Sequence, residues 1–263
     1  MTEIQIICYN EIFSQNALCL SRRTGYKITK TIDKPIYYIV YGAHVNPTAM
    51  LQYRQTIGCK FIVFNTEHYS SPVFSNKFYI ELLKQSYIID YLPANREWLA
   101  VNYRLYVLSF HWFEFIEQEQ SLVRPIDILF VGAKSDKRQS VERNLVARYP
   151  DKTIHFIYPE KYTDITNILK SAVTVLNIEF YENNFELHRI NQALSCGCKV
   201  ISHNTTDMAN LYNNFVSFTN DYESCINSPT KTYRDLVENQ LYVVSMHLNW
   251  CLQMISERPL DQH

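Results

Sequence analysis

Short apolar runs, rich in β-branched and aromatic residues, alternate with amphipathic stretches along the whole chain. Runs at 4–9 (IQIICY), 36–41 (IYYIVY), 60–64 (KFIVF), 86–90 (SYIID) and 104–108 (RLYVL) predict strands. Stretches near 12–23, 47–57, 75–84 and 93–102 predict the helices between them, with Pro47 and Pro93 where a first helical turn tolerates proline. The strand runs are continuously apolar, as expected where helices cover both faces of a parallel sheet. Residues 109–125, acidic and amide-rich and closed by Pro125, break the alternation. It restarts with strands at 126–132, 153–158, 173–180, 198–203 and 214–219 and helices at 136–149, 161–170, 184–195, 206–212 and about 231–257.

Two successive β/α series predict two doubly wound sheets facing each other across a cleft, with 109–125 as the hinge. The expected division is 1–115, then 116–240, then a C-terminal helix over 241–263 that returns to the first domain. A single ten-stranded domain is the alternative. Ligands of such sheets lie beyond the carboxyl ends of the strands, so chemistry is sought there.

Composition narrows the partners. With 25 Lys+Arg against 26 Asp+Glu, the chain lacks the cationic excess that a nucleic-acid partner requires. The 7 cysteines contain no CxxC pair and read as reduced, mostly buried thiols. The opening MTEIQIICYNEIF is too acidic for a signal peptide, and no run reaches the roughly 18–20 apolar residues of a membrane helix. A soluble, cytoplasmic protein is expected. Only 5 of 263 residues are glycine, against a usual share of about 7%, and neither GxGxxG nor GxxxxGK[ST] occurs. Any anion must be held without a glycine-rich loop.

The segment 177–204 is richest in candidate chemistry. A buried strand ends at Asn177, a loop carrying Tyr181 turns, and a helix follows with Glu186, His188 and Arg189 in its first turns. A helix N-terminus offers unpaired N–H groups to an anion, and a guanidinium there adds a two-pronged donor, although it opposes the helix dipole. The competing reading is an i,i+3 ion pair between Glu186 and Arg189 on a helix surface. His188 reads as structural. A second candidate is VGAKSDKR at 131–138. There Gly132 ends a strand, Ser135 or Asp136 caps a helix, and Lys134, Lys137 and Arg138 surround the cap, as a phosphate clasp or a solvated turn. In the first half, two strands run into Gly42-Ala43-His44 and Asn65-Thr66-Glu67-His68, making Glu67, His44 and His68 candidates for a general base. A zinc site from His44, His68 and His111 lacks any supporting HxxxH spacing.

The order of elements, the DILFVG opening at 127–132 and the stretch from Val173 to Ser202 resemble the GT-B glycosyltransferases. NQALSCGCKVIS at 191–202 matches that family's EAxAxGxPVV stretch, with Ala193, Gly197, Val200 and Ser202 in register and Gln192 where the family has a ribose-binding glutamate. Asn177, Tyr181, Glu186 and Arg189, with FNTEH at 64–68 and YLPAN at 91–95, resemble one subset of that fold.

The resemblance implies an α/β protein of two Rossmann-like, doubly wound domains facing a cleft. It implies sugar transfer from a nucleotide-sugar, UDP-linked by default, to the hydroxyl of a glycan or other acceptor in carbohydrate biosynthesis, with no metal or other cofactor. The donor side would comprise Gly132, Lys134, Arg138, Asn177, Tyr181, Glu186, Arg189, Gln192, Ser202 and His203. The alternatives are a non-catalytic nucleotide-sugar-binding or partner protein of the same fold and, further off, a nucleotide-sugar epimerase.

Overall fold

The computed structural model describes residues 3–90, 92–109, 123–159, 165–180, 186–203 and 216–222, together with Ile226 and Gln253. The chain divides into two compact units, Met1–His111 with Val244–His263, and Trp112–Val243.

The first unit carries a six-stranded parallel sheet in the order β2-β1-β3-β4-β5-β6. Its strands are β1 (Ile4–Cys8), β2 (Lys27–Thr29), β3 (Tyr37–Tyr41), β4 (Lys60–Asn65), β5 (Tyr87–Asp90) and β6 (Val107–Ser109). The helices α1 (Ser14–Thr24), α2 (Pro47–Ile57), α3 (Lys77–Lys84) and α4 (Pro93–Tyr103) connect them. Tyr38, Ile39, Val40, Phe61, Ile62 and Val63 are all 0% exposed, which explains why β3 and β4 read as unbroken apolar runs. Met50, Leu82, Leu83 and Leu99 from α2, α3 and α4 pack into the same core as Tyr38, Val40, Phe61 and Val63. Residues Pro47 and Pro93 occupy the first turns of α2 and α4.

The second unit holds a five-stranded parallel sheet in the order β11-β10-β9-β7-β8. Its strands are β7 (Ile126–Val131), β8 (Ile154–Ile157), β9 (Ala172–Asn177), β10 (Lys199–His203) and β11 (Val216–Thr219), with helices α5 (Asp136–Arg148), α6 (Thr166–Lys170) and α7 (Leu187–Ser195). Arg124 anchors the entry to this sheet: Nη1 donates to the Ala172 carbonyl at 2.6 Å and Nη2 to the Cys196 carbonyl at 2.6 Å.

Two separate sheets replace the ten-stranded alternative. The sequence pattern misses β2, a three-residue edge strand (KIT) with two exposed positions and no hydrophobic signal. The helices expected over 206–212 and 231–257, the start of the one expected at 161–170, and most of the 109–125 hinge lie outside the described residues. Cys8, Cys19, Cys59, Cys196 and Cys198 are free thiols, all buried except the half-buried Cys8. Among the described residues no helix is long and apolar enough to cross a membrane.

Each sheet has a point where the chain leaves its first strand to one side and returns on the other, which opens a crevice at the strand carboxyl ends. In the first unit this lies between β1 and β3, and in the second between β7 and β9.

Candidate functional site

Two polar clusters sit at the carboxyl edges of the sheets, one in each unit. In the second unit, the end of β7 places Gly132 beside the end of β9 with Asn177. Two arginines meet there. Arg138, from the first turn of α5, is 1% exposed. Its Nε and Nη2 donate to the Ile178 carbonyl at 3.0 and 2.6 Å, and its Nη1 to the Ala133 carbonyl at 2.8 Å. Ser135 caps α5, its Oγ accepting from the Arg138 backbone N–H at 3.3 Å.

Arg189, from the first turn of α7, donates from Nη1 to Asn177 Oδ1 at 3.1 Å. Glu186 joins the two cations: Oε1 accepts from Arg138 Nη2 at 2.6 Å, and Oε2 pairs with Arg189 Nη2. Both guanidiniums also lie over the Phe130 ring, at 4.9 and 5.1 Å from its centroid. Burial pulls the Arg138 pKa down, and the neighbouring Glu186 pulls it back up.

The close approach requires a glycine at 132. A Cβ there would lie 2.7 Å from Arg189 Nη2 and 2.9 Å from Phe130 Cζ. Asn177 continues the network, donating from Nδ2 to Ser202 Oγ at 2.9 Å, while Ser202 donates to the His203 carbonyl at 3.1 Å. Tyr222 closes it from below, its hydroxyl bonding the Asn177 carbonyl at 2.9 Å. Arg189 is 12% exposed at its side chain, whereas Ser202 is fully buried.

Lys134 is exposed beside this cluster, and Gln192 is half-buried further along α7. Tyr181 lies outside the described residues. Glu179, which no sequence pattern marks, is 5% exposed just beyond β9 and pairs with Lys137 from α5, with His203 Nε2 at 3.7 Å. Its only signal was a carboxylate inside an apolar run. Burial pushes His188 down to about 4, which keeps it neutral and consistent with a structural role.

In the first unit, the end of β3 approaches β1. Gly42 has φ +72, and a Cβ on it would lie 2.7 Å from Asn10 Cβ. His44 follows directly, its Nδ1 3.5 Å from Glu67 Oε1, and Ser71 Oγ donates to Glu67 Oε2 at 3.1 Å. His68 is 6% exposed and its Nδ1 is engaged by Ser70 Oγ at 2.6 Å and by the Ser70 N–H at 3.3 Å. Burial lowers its pKa.

The loop bearing Glu67 is held from beneath by a buried amide–carboxylate cluster. Asn65 and Asn95 both donate to the Glu67 carbonyl, at 3.1 and 2.7 Å, and to Asp90 Oδ2, at 2.6 and 2.9 Å. The Leu92 N–H donates to Asp90 Oδ1 at 2.8 Å, and the Tyr79 hydroxyl to Asn65 Oδ1 at 2.8 Å. Asn65, Asn95 and the Leu92 N–H all donate to Asp90, so its carboxylate organises the loop as an acceptor.

Burial pushes the Asp90 carboxyl up to about 7, against the pull of those donors. Its folded value lies above the unfolded 3.8, so folding favours the protonated form; that contribution is complete below about pH 4 and is lost as pH rises through about 7. Asp90→Asn sets an amide donor against N–H donors and is expected to cost about 1–3 kcal/mol. It should also flatten the fall in melting temperature of the wild type between pH 5 and pH 8. Equal slopes for the two proteins would contradict this role.

Among the described residues no group of three His, Cys, Asp or Glu side chains is arranged to hold a metal ion. His111, the third histidine of the zinc idea, lies outside the described residues.

No protein-family model and no curated protein matches the chain. Solved structures do match in fold. HepE from Anabaena in complex with UDP-glucose aligns with a TM-score of 0.58 at 8% identity, over 97% of this chain and 100% of that one. Its complex with UDP and glucose gives 0.56 at 9% identity, over 98% and 99%. TarM and the GtfA/B complex, each 13% identical, give 0.49 and 0.46, and this chain spans only 56% and 57% of their lengths. The fold is therefore α/β with two Rossmann-like halves, of the GT-B type that the sequence resembled.

Proposed function

We propose that the chain is a glycosyltransferase that moves a sugar from a nucleotide-sugar donor to an acceptor hydroxyl without a metal ion. The observation that carries this reading is the Arg138–Glu186–Arg189 assembly at the β7/β9 crevice. UDP is the expected nucleotide because HepE, which shares the fold, was solved with UDP-glucose.

Breaking the bond between sugar and diphosphate leaves negative charge on the leaving oxygens, and preorganised donors stabilise it in the transition state. Arg189 is the donor suited to that charge, held in place by Glu186 and Asn177. Arg138 is a positioning residue, since its fork is bound to backbone carbonyls and Glu186. The exposed Lys134 and the start of α7, where Glu186 makes no side-chain capping bond, add further positive potential. Gln192 and His203 would contact the nucleoside and Tyr181 the sugar side, while the buried Ser202 supports Asn177.

On the acceptor side, His44 is the general base and Glu67 orients it. With Nδ1–H directed to Glu67, the lone pair resides on Nε2, which takes the acceptor proton as the hydroxyl attacks the anomeric carbon. That step inverts the configuration.

The test follows release of nucleoside diphosphate from nucleotide-sugars with candidate acceptors, in EDTA and in Mg²⁺. Equal turnover in both is expected. His44→Ala should lower kcat by about 10²-fold or more with donor Kd unchanged, the scale for losing a general base. Turnover only with the metal would contradict the metal-free reading, and a fully active His44→Ala would remove the base. Donor binding without turnover would favour the non-catalytic alternative, and interconversion of nucleotide-sugars without any acceptor would favour the epimerase.

A further inference from the structure

Glu179 has no place in the family pattern and no part in the arginine assembly, yet it is a carboxylate only 5% exposed at the carboxyl edge of the sheet. Its bonding is one-sided. Oε1 takes the Lys137 ammonium and faces His203 Nε2 at 3.7 Å, whereas Oε2 is buried with no hydrogen-bond partner among the described residues. A carboxylate has about four acceptor positions, and a buried oxygen that uses none of them is costly to retain. Packing alone does not explain it, because Lys137 and His203 both lie on the side of the other oxygen. Helix stability does not explain Lys137 either, since a cation in the first turn of α5 opposes the dipole.

The chemistry of the ligand follows from the charge. A carboxylate repels a phosphate and accepts from a hydroxyl, and Lys137 offsets its charge beside a diphosphate. We infer that Glu179 Oε2 accepts a hydrogen bond from a sugar hydroxyl of the donor and sets its specificity, an assignment that rests on the nucleotide-sugar reading above. Lys137 holds the carboxylate through Oε1, and Oε2 is kept buried without a partner among the described residues. Two hydroxyl sources share this chemistry, the nucleoside ribose and the transferred sugar. The site works by rejection, since a donor lacking the hydroxyl leaves a buried charged acceptor unpaired.

The experiment is calorimetric binding of UDP, UDP-glucose and 2′,3′-dideoxy-UDP to the wild type and to Glu179→Gln, which keeps the side-chain shape. Glu179→Gln should weaken UDP-glucose binding about tenfold to a hundredfold, the scale for one charge-assisted hydrogen bond. If the ribose is read, UDP weakens equally while dideoxy-UDP binds both proteins alike. If the transferred sugar is read, UDP is unaffected.

Unchanged UDP-glucose affinity overturns the assignment, and so does an equal loss with dideoxy-UDP, which would point to the base. Should the variant fail to fold, the wild type decides alone. Indifference to deoxygenation of both the ribose and the glucose overturns the assignment. A wild type that binds UDP but behaves in these ways refutes only Glu179's role, whereas one that binds no nucleotide overturns the donor reading and this inference together.

Discussion

Replacing Arg138 with methionine is expected to destabilise the second unit by about 3–5 kcal/mol, the range for removing one partner from a buried ion pair. The side chain is 1% exposed and lies between the Phe130 and Phe180 rings, at 4.9 and 5.2 Å from their centroids. Methionine fills much of that volume but donates nothing to the Ile178 and Ala133 carbonyls, and it removes one of the two arginines that pair with Glu186. Against a typical folding stability of 5–15 kcal/mol the loss is large. Chemical denaturation should show a clearly lower midpoint. Arg138→Lys should recover only part of it, since an ammonium replaces the charge but not the planar fork. A midpoint within error of the wild type would mean that the buried arginine is dispensable.

Arg189→Ala should separate chemistry from architecture. Turnover is expected to fall 10²-fold or more, the scale for removing one transition-state donor. Stability should change much less than in the Arg138 variant, because Glu186 keeps its bond to Arg138 and Asn177 keeps its bond to Ser202. The contrast tests the proposed division of labour, in which two neighbouring guanidiniums share one carboxylate but are assigned different tasks, one to the fold and the other to the donor. Steady-state kinetics beside a melting curve would check it. Activity near wild type in a well-folded Arg189→Ala protein would sink the role proposed for this residue.

Much of the fold is legible in the sequence because parallel strands buried on both faces are continuous apolar runs. β3 (YYIVY) is such a run, as are FIVF within β4 and ILFV within β7, and Pro47 and Pro93 mark two helix starts. The short edge strand β2 is not legible, since two of its three residues are exposed and its pairing with β1 is a tertiary fact.

The site divides in the same way. Glu186 and Arg189 stand three apart, and either a surface ion pair or a ligand site fits that spacing. Both side chains prove largely buried, at 20% and 12% exposure, and Glu186 is also bound to Arg138, 48 positions earlier. No local pattern contains that partner. The role of Gly132 is equally hidden, because the atom that excludes a side chain there belongs to Arg189. Likewise, the link from His44 to Glu67 joins the ends of neighbouring strands, which only sheet order brings together. Glu179 is not legible either, because an isolated carboxylate in IEF carries no motif.

The most direct measurement is titration calorimetry of UDP and UDP-glucose into the wild type and into Arg189→Ala, with EDTA present throughout. Saturable binding of both nucleotides to the wild type without metal, strongly weakened in Arg189→Ala, is the predicted result. No heat from these or the other common nucleoside diphosphates, or equal affinity in the two proteins, would contradict a donor site built on Arg189.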